Sequence, residues 1–263
     1  MKKFWKKTSL FLVTAAMTVS APLMAWALEH DIVILHTNDI HCGINDNIGF
    51  AGLAQIKKDA LARTPNVALV DAGDAIQGAP IGKLSRGLAV VDIMNYLGYD
   101  FCIPGNHEFD YGMDRFLELV PLQRAGYYCA NFVYAGNNKQ VLPGYKIMQY
   151  EDTKVAFVGA STPESLTTST PTFFQNEKGK YIYSFCEDKT GNKLYKQLQK
   201  NVDKARKDGA DYVFIVGHLG MDGTTPQWSS ESVAKNTQGV DAVIDGHSHE
   251  RFTCMVKNKV GKD

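Results

Sequence analysis

Short apolar runs alternate with amphipathic stretches along most of the chain. Six runs rich in Val and Ile have the length of strands, and a turn-like or polar stretch follows nearly every one. The predicted strands cover residues 32–35, 67–70, 100–103, 155–159, 212–216 and 242–244. Strands that are apolar almost throughout are typical of sheets that are covered on both faces.

Helical patterns fill the intervals between these runs. Apolar residues share one face of each candidate helix, and the fourth also carries Lys-rich exposed positions. In chain order, the apolar residues of the first three candidate helices are Leu53, Ile56, Ala60 and Leu61; Val90, Val91, Met94 and Leu97; and Phe116, Leu117 and Val120. The fourth candidate helix covers residues 194–205. Alternation of strands and helices predicts an α/β domain with its sheet largely covered.

Two segments depart from this alternation. Residues 131–150 are rich in turn residues, including Gly136, Asn138 and Gly144, and they predict a surface excursion. Residues 251–256 read as a strand and 257–261 as the turn of a hairpin, but the chain stops at residue 263 before a return strand. We therefore expect the sequence to be the N-terminal portion of a longer protein.

The first 27 residues have the features of a targeting segment. Four lysines among the first seven residues precede an apolar stretch over residues 10–19, then Pro22, then Ala25-Trp26-Ala27. This order predicts a signal peptide over residues 1–27 and a mature chain from Leu28. An uncleaved membrane anchor is the alternative, because no charge lies between Lys7 and Glu29. Either way the protein is exported, to the periplasm, the cell surface or the medium.

Composition narrows the choice of partner. The 263 residues have zero formal net charge and are 44% hydrophobic, which is enough for one sizeable core. The balanced charge indicates neither a nucleic acid nor a membrane as partner once the signal segment is removed. Five cysteines without paired spacing predict no disulfide framework. Among them Cys42 is either a thiolate ligand or a small packing residue. The second is favoured, because Cys42 lies one position out of register with Asp39 and His41.

Candidate chemistry is concentrated directly after the apolar runs. The motifs are TNDIH at 37–41, GD at 73–74, GNHE at 105–108, GH at 217–218 and GHSH at 246–249. They contain five of the seven histidines, whereas His30 and His36 lie outside them and are interpreted as non-functional. Because ligands in α/β folds bind beyond the carboxyl ends of strands, this placement predicts a common site.

The donor types in these motifs favour two divalent ions over one structural zinc. They offer carboxylates, imidazoles and a carboxamide without a thiolate cluster, which suits Mn²⁺, Zn²⁺, Co²⁺ or Fe. Residues i and i+2 of an extended chain point the same way, so Asp39/His41 and His247/His249 could each hold a metal as a pair. Two ions about 3.5–4 Å apart need a bridging carboxylate and hold a hydroxide at neutral pH.

Each motif taken singly has a simpler explanation. An Asp-x-His after a strand is commonly a capped turn with a surface histidine, and Gly-Asp is an ordinary turn. His-Ser-His could be a lone zinc pair or a solvated segment. The conjunction of five such motifs at five strand ends indicates a metal centre.

These strings resemble a known family. Calcineurin-like metallophosphatases carry Asp-x-His, Gly-Asp, Gly-Asn-His-Glu, a lone His and then Gly-His-x-His. More closely, TNDIH at 37–41, DAGDAIQG at 71–78 and GNHEFD at 105–110 resemble the bacterial 5′-nucleotidases, a family that includes UDP-sugar hydrolases and 2′,3′-cyclic-nucleotide phosphodiesterases. The resemblance covers residues 28–263 and implies a four-layer α/β/β/α sandwich.

The resemblance also implies roles for individual residues. One metal would be held by Asp39, His41 and His249, the other by Asn106, His218 and His247, with Asp74 bridging the two. His107 and Asp110 match the catalytic pair: His107 would stabilise charge on the transferring phosphate, and Asp110 would orient its ring. The alternative for Asp110 is a residue at the start of the following helix.

The implied function is dephosphorylation of nucleotides by an exported dinuclear-metal hydrolase that uses a metal-bridging hydroxide. The expected partner is a small phosphoester, and a nucleotide above all. Alternatives are a broad-specificity phosphoesterase, a cyclic-nucleotide phosphodiesterase or UDP-sugar hydrolase, and a non-catalytic module that binds metal or phosphate. Family members carry a second, C-terminal domain whose aromatic side chains hold the base, and we expect that domain to be absent from this sequence.

Overall fold

The computed structural model describes residues 11–12, 31–221 and 224–262. The strands are β1 (Phe11–Leu12), β2 (Val33–Thr37), β3 (Val67–Asp71), β4 (Phe101–Cys102), β5 (Val133–Tyr134), β6 (Tyr145–Tyr150), β7 (Thr153–Ser161), β8 (Tyr183–Ser184), β9 (Tyr212–His218) and β10 (Ala242–Ile244). The helices are α1 (Gly49–Leu61), α2 (Pro80–Ser85), α3 (Leu88–Leu97), α4 (Met113–Leu119), α5 (Ser165–Thr168), α6 (Asn192–Lys207) and α7 (Ser230–Asn236). All six strands predicted from the apolar runs, and all four predicted helices, are present.

Two four-stranded sheets form the centre of the molecule. The first has the order β1-β2-β3-β4 and is parallel throughout. The second has the order β10-β9-β7-β6, with only β6 antiparallel to its neighbour. A separate pair, β5 with β8, is antiparallel.

Alternate residues of the strands face different layers. In β2, Val33 and Leu35 belong to the core that the first sheet shares with α1, α3 and α4, whereas Ile34 faces the second sheet. In β9, Val213 and Ile215 lie in the core beside α6, whereas Phe214 faces the first sheet. Because both faces of each sheet are covered, β2, β3, β7 and β9 are apolar over most of their length, with polar residues such as Thr37, Asp71 and His218 at their carboxyl ends. The α/β fold with four layers is thereby confirmed.

The prediction of a surface excursion over 131–150 is wrong in part. Tyr145–Tyr150 forms the edge strand β6, paired antiparallel with β7 across a tight turn at Glu151, whose φ is 51°. Asn131 and Phe132 are fully buried. The turn residues at 136–138 and 144 led to a prediction of one continuous excursion over 131–150. The strand β6 begins directly after residue 144 and was included in that excursion.

The prediction of a strand over 251–256 is also wrong. Residues 251–258 have no regular structure, and Phe252 and Met255 are exposed. No described strand lies beside them, so their backbone has no ladder partner. The turn that follows is present, because the Asn258 side chain accepts hydrogen bonds from Val260 N and Lys262 N.

The predicted targeting segment lies almost wholly outside the described residues. Only Phe11–Leu12 are described, and they pair with Val33–Ile34 at the edge of the first sheet. The signal peptide therefore stays a prediction. Among the helices of the described part, none is long and apolar enough to span a membrane.

Candidate metal centre

Loops from both sheets converge at the carboxyl ends of the strands. The loops after β2 and β3 run side by side, with Asp39 N donating to Gly73 O at 3.0 Å and His41 N to Asp74 O at 2.9 Å. The loop after β10 joins them, because His247 N donates to both carboxylate oxygens of Asp39, at 3.1 and 3.0 Å. Residues more than 200 positions apart therefore form one site.

Most of the candidate ligands have a left-handed backbone. The φ angles are 50° at Asp39, 46° at His41, 59° at Asp74, 83° at His247 and 53° at His249. Such angles are uncommon outside glycine and cluster where a functional geometry is imposed. They also correct the expectation that Asp39/His41 and His247/His249 point the same way because the chain is extended: each pair lies in a tight turn instead.

The first group of possible ligands consists of Asp39, His41 and His249. The Nε2 atoms of His41 and His249 are 3.3 Å apart, and His249 Nε2 is 3.4 Å from Asp39 Oδ1. Two ligand atoms on one tetrahedral ion, each about 2.0–2.1 Å from it, are separated by about 3.3–3.4 Å. The spacing therefore suits a shared ion. This group is open, since the His249 side chain is 59% exposed.

The second group consists of Asp74, His218 and His247 and is more deeply buried. His218 Nε2 is 3.0 Å from Asp74 Oδ2, and the His218 side chain is fully buried. Asn106 is 3% exposed, and its Oδ1 has no hydrogen-bond partner among the described residues. A buried amide oxygen without a partner is costly unless it binds something, so it fits a metal ligand.

His247 and His249 belong to different groups although they are two residues apart. The sequence had offered them as one chelating pair, whereas the family resemblance had assigned them to separate metals. The left-handed turn at both residues sends their rings in different directions. His247 contacts the His218 ring at a centroid distance of 5.0 Å, and His249 contacts the His41 ring at 5.1 Å.

Asp74 lies between the two groups. Its Oδ2 is 3.0 Å from His218 Nε2 and 3.8 Å from His41 Nε2, while its Oδ1 accepts a hydrogen bond from His107 N at 2.8 Å. A single carboxylate oxygen thus faces imidazoles of both groups. Gly105 permits this approach, because a Cβ there would overlap Asp74 Oδ1.

The imidazoles are oriented by acceptors outside the two groups. His218 Nδ1 lies 2.8 Å from Ala72 O, and His41 Nδ1 lies 3.1 Å from Gln77 O. A carbonyl can only accept, so these Nδ1 atoms carry protons and both Nε2 atoms face the site, where a deprotonated Nε2 can bind a metal. His247 is reversed: its Nε2 lies 3.2 Å from Glu164 Oε2, which leaves Nδ1 free.

The carboxylates and imidazoles of the site shift one another's pKa values. Burial alone would lower the pKa of His218, but the Asp74 and Asp39 carboxylates outweigh it and raise the pKa to about 10. Burial alone would raise the pKa of Asp74, but the interactions with His218 and His107 outweigh burial and lower this pKa below its ordinary value. In the metal-free fold a proton on His218 therefore offsets the carboxylate charge, as a cation would.

His107 and Asp110 form a hydrogen-bonded pair beside the two ligand groups. His107 Nδ1 is 2.6 Å from Asp110 Oδ2, and this hydrogen bond raises the pKa of His107 against the opposing effect of burial. Asp110 does not cap α4, because the helix begins at Met113 with Gly112 as N-cap. The His107 ring packs edge-on against the His41 ring at 5.2 Å, so the pair is adjacent to the first group.

A polar cleft of about 610 Å³ opens beside this pair. Its lining residues come from α2, from the end of α5 and from three loops: Gln77, Gly78, Lys83, Asp110, Tyr111, Thr168, Ser169 and Thr170. Asp110 lies in its wall, so the cleft borders the residue that holds His107. Lys83 contributes the only cationic side chain of this lining.

Cys42 is a packing residue rather than a ligand. It is 1% exposed, belongs to the core of the first sheet, and lies against Gly82, where a Cβ would overlap its Sγ. Burial and the nearby Glu108 raise the pKa of its thiol to about 11, so it stays neutral. The interpretation from its register is confirmed, and the five cysteines are all free.

Three supporting residues had not been singled out in the sequence. Glu108 is 1% exposed and accepts hydrogen bonds from backbone N–H groups in the loops after β3 and β4. Glu164 contacts His247, and Ser169 Oγ donates to Asp110 Oδ1 at 3.0 Å. Glu108 was visible as the last letter of the GNHE string, but no local signal marks Glu164 or Ser169.

Comparison with known proteins adds three findings. The pattern of the calcineurin-like phosphoesterase family matches residues 32–251. A snake venom 5′-nucleotidase of Gloydius brevicauda is 29% identical over 259 residues, covering 91% of this chain and 40% of that protein. A 2′,3′-cyclic-nucleotide 2′-phosphodiesterase/3′-nucleotidase of Haemophilus influenzae is 27% identical over 272 residues, covering 91% of this chain and 40% of that protein.

Among solved structures, the 5′-nucleotidase precursor of Thermus thermophilus superposes with a TM-score of 0.70 at 24% identity. The match covers 87% of this chain and 46% of that one, and at this identity it supports the fold. The chain spans about 40% of the length of the two relatives named above.

Proposed function

The chain belongs to the calcineurin-like phosphoesterase family, and from that premise we propose that it is a dinuclear-metal phosphoester hydrolase of the 5′-nucleotidase type. The observation that carries the proposal is the position of Asp74, whose Oδ2 faces imidazoles of two separate ligand groups. A single structural metal would need no such shared carboxylate. The two nucleotide-processing relatives favour nucleotides as the substrate class.

The proposed ligands fall into two sets. Asp39, His41 and His249 hold one ion, Asn106, His218 and His247 hold the other, and Asp74 is shared. Mn²⁺, Zn²⁺, Co²⁺ and Fe all suit this mixture of nitrogen and oxygen donors. Two such ions would neutralise phosphate oxygens and make bound water acidic enough to attack at neutral pH.

His107 and Asp110 act on the substrate from outside the ligand groups. The carboxylate of Asp110 holds the proton on His107 Nδ1 and favours the cationic ring, because its hydrogen bond raises the pKa of His107. A cationic His107 beside the cleft stabilises negative charge that develops on the transferring phosphoryl group or on the departing oxygen. The burial of His218 and Asp74 strengthens the electrostatic interaction between them, because the surroundings have a low dielectric constant.

The proposal also includes export of the enzyme from the cytoplasm. The predicted signal peptide over residues 1–27 carries it, and one relative is a venom protein. We therefore place the enzyme in the periplasm, at the cell surface or in the medium.

Turnover by the purified 263-residue chain tests the activity. Chelator-treated protein is assayed with AMP and with p-nitrophenyl phosphate, before and after addition of Mn²⁺. We expect hydrolysis of both esters that depends on the metal. A chain that binds two Mn²⁺ ions but turns over neither ester would be a binding module, and the proposed function would be wrong.

A second substrate class is tested in the same assay, because the Haemophilus influenzae relative is named as a cyclic-nucleotide phosphodiesterase. 2′,3′-cyclic AMP and bis(p-nitrophenyl) phosphate are diesters, whereas AMP is a monoester. A kcat/KM for the diesters that exceeds that for AMP would assign the chain to the phosphodiesterase branch.

A further inference from the structure

A short segment after β7 contacts both parts of the site. This brace segment, residues 164–169, consists of α5 with Glu164 as N-cap and Ser169 as C-cap. At its start, Glu164 Oε2 lies 3.2 Å from His247 Nε2. At its end, Ser169 Oγ donates to Asp110 Oδ1 at 3.0 Å.

The brace segment is fixed to the second sheet. Ser161, the last residue of β7, is in register with His218 of β9, and Thr162 N donates to His218 O at 2.9 Å. Ser165 Oγ in turn donates to Thr162 O at 2.8 Å. A segment held in this way to the strand that carries His218 can transmit a fixed geometry to both of its ends.

We infer that the brace segment positions both halves of the proposed active site, with Glu164 setting the orientation and tautomer of His247 and Ser169 fixing Asp110 behind His107. This inference rests on the proposed function, because it assigns positioning roles in that reaction. Neither residue belongs to the predicted set of ligands or to the catalytic pair.

Glu164 has the arrangement that a tautomer-setting residue requires. Its Oε1 accepts two hydrogen bonds from Thr225, one from N at 2.6 Å and one from Oγ1 at 2.5 Å. Oε2 is therefore the oxygen that is left for His247, and a carboxylate there can only accept. The proton of His247 is held on Nε2, which leaves the Nδ1 lone pair for a metal.

Ser169 completes the hydrogen bonding of Asp110. Oδ2 of Asp110 is taken by His107 Nδ1 and Oδ1 by Ser169 Oγ, so the carboxylate is held at both oxygens. Ser169 is 8% exposed, and its hydroxyl is thus largely shielded from competing water. A carboxylate held at one oxygen only can rotate, and the ring that it orients then loses its alignment with the substrate.

The first test concerns Ser169→Ala. We expect kcat for AMP to fall about three- to tenfold, the usual effect of one hydrogen bond, with KM and metal content unchanged. In an Asp110→Ala background, the same substitution should cause no further loss, because Ser169 acts only through Asp110. Full kcat in the single variant, or an equal loss in both backgrounds, would overturn the role of Ser169.

The second test concerns Glu164→Gln and reads metal binding rather than activity. With Thr225 still donating to the amide oxygen, the amide NH₂ faces His247 Nε2 and forces its proton onto Nδ1. Loss of such an outer partner typically weakens metal binding about 10- to 100-fold. Titration of Mn²⁺ into chelator-treated protein should show one of two binding steps weakened by that factor. Two binding steps as tight as those of wild type would refute the role of Glu164.

Thr167→Ala is the matched control. It removes an exposed hydroxyl from the same segment, and that hydroxyl donates to the backbone Glu164 O within the segment at 3.0 Å. We expect wild-type kcat and wild-type Mn²⁺ affinity. Equal losses in this control would mean that the segment contributes folding alone, which contradicts the inference. The Mn²⁺ titration decides the role of Glu164 even in a chain without turnover, so failure of the proposed function and failure of the inference remain distinguishable.

Discussion

At the scale of single residues, the site depends on carboxylates that face several partners at once. Asp39 accepts hydrogen bonds from Asn38 Nδ2 at 2.6 Å and from His247 N, and it contacts His249. Asp74 faces His218 and His41 through one oxygen and His107 N through the other. Because each carboxylate serves several elements, its loss is expected to affect more than one function.

Asp74→Asn should weaken both metal sites together. The amide keeps the size of the side chain but removes the negative charge that the two ligand groups share. We expect metal content below one ion per chain after gel filtration, and loss of most activity toward AMP. Asp46→Asn, which changes an exposed carboxylate in the loop before α1, is the control. Two tightly held ions and a near-normal rate in the Asp74 variant would contradict the bridging role.

His107→Ala should separate chemistry from metal binding. Its Nδ1 is engaged by Asp110, and its ring contacts the proposed ligand His41 only by edge-on packing, so we expect the side chain to be dispensable for holding ions. Loss of one electrostatic donor of this kind lowers kcat about 10²- to 10³-fold. Metal content, measured by atomic absorption, should equal that of wild type. Asp110→Asn should cost less, because the ring remains; a missing metal in the His107 variant would instead make this residue a ligand.

At the scale of elements, the loops after β3 and β4 are joined by one buried side chain. Glu108 Oε1 accepts from Ala75 N at 2.8 Å and Ile76 N at 3.3 Å, while Oε2 accepts from Asp74 N at 2.8 Å and Gly105 N at 2.6 Å. Burial, and then the charge of Asp74, raise the pKa of Glu108 to about 7. Four hydrogen bonds to one carboxylate fix the loop that presents Asp74 against the loop that presents Asn106.

Glu108→Ala should therefore destabilise the fold as well as the site. Each buried N–H left without a partner costs about 1–3 kcal/mol, so we expect the free energy of unfolding to fall by at least about 3 kcal/mol. Urea denaturation with EDTA present measures this without a contribution from metal. Glu118→Ala removes an exposed glutamate paired with Arg115 and should change stability by less than about 1 kcal/mol. Similar midpoints for both variants would show that Glu108 does not hold the loops together.

At the scale of the whole molecule, we expect metal binding and folding to be coupled, because the proposed ligands come from both sheets. The proposed ligands follow β2, β3 and β4 of the first sheet and β10 of the second, and His218 is the last residue of β9 in the second sheet. An ion that binds only this assembled arrangement stabilises the native state against the unfolded chain. The same coupling depends on pH, because the proton on His218 must leave before its Nε2 can bind a metal.

Mn²⁺ should therefore raise the Tm, and by more at pH 8.0 than at pH 5.5. Free ion at about 100 times its Kd stabilises by about 2.7 kcal/mol per site, or about 5–10 °C for a domain of this size. The pKa of His218 is raised to about 10 in the metal-free fold. Its protonation thus stabilises that fold fully below the unfolded pKa of about 6.5 and contributes less as the pH rises.

Differential scanning calorimetry at both pH values, with EDTA-treated protein as the reference, measures the shift in Tm. The competition between the proton and the ion at His218 predicts the direction of the difference. A metal-induced shift at pH 5.5 that equals or exceeds the shift at pH 8.0 would contradict the coupling.

The amino-acid sequence by itself determined the α/β class, the main strands and helices, and the position of each candidate ligand at a strand end. These features are local: apolar periodicity marks strands and helices, and strings such as GNHE at 105–108 mark the loops between them. The sequence did not reveal β6, because turn residues at 136–138 and 144 obscured the start of that strand. It also predicted a strand over 251–256 that has no partner among the described elements.

Tertiary structure alone decided how the candidate ligands are grouped and which residues contact them. His247 and His249 go to different groups because a left-handed turn separates their rings, which the expected extended geometry would have kept together. Glu164 and Ser169 reach the site only because β7 pairs with β9 and delivers α5 beside His247 and Asp110. Contacts of this kind depend on sheet pairing between distant segments, and periodicity within one segment carries no information about them.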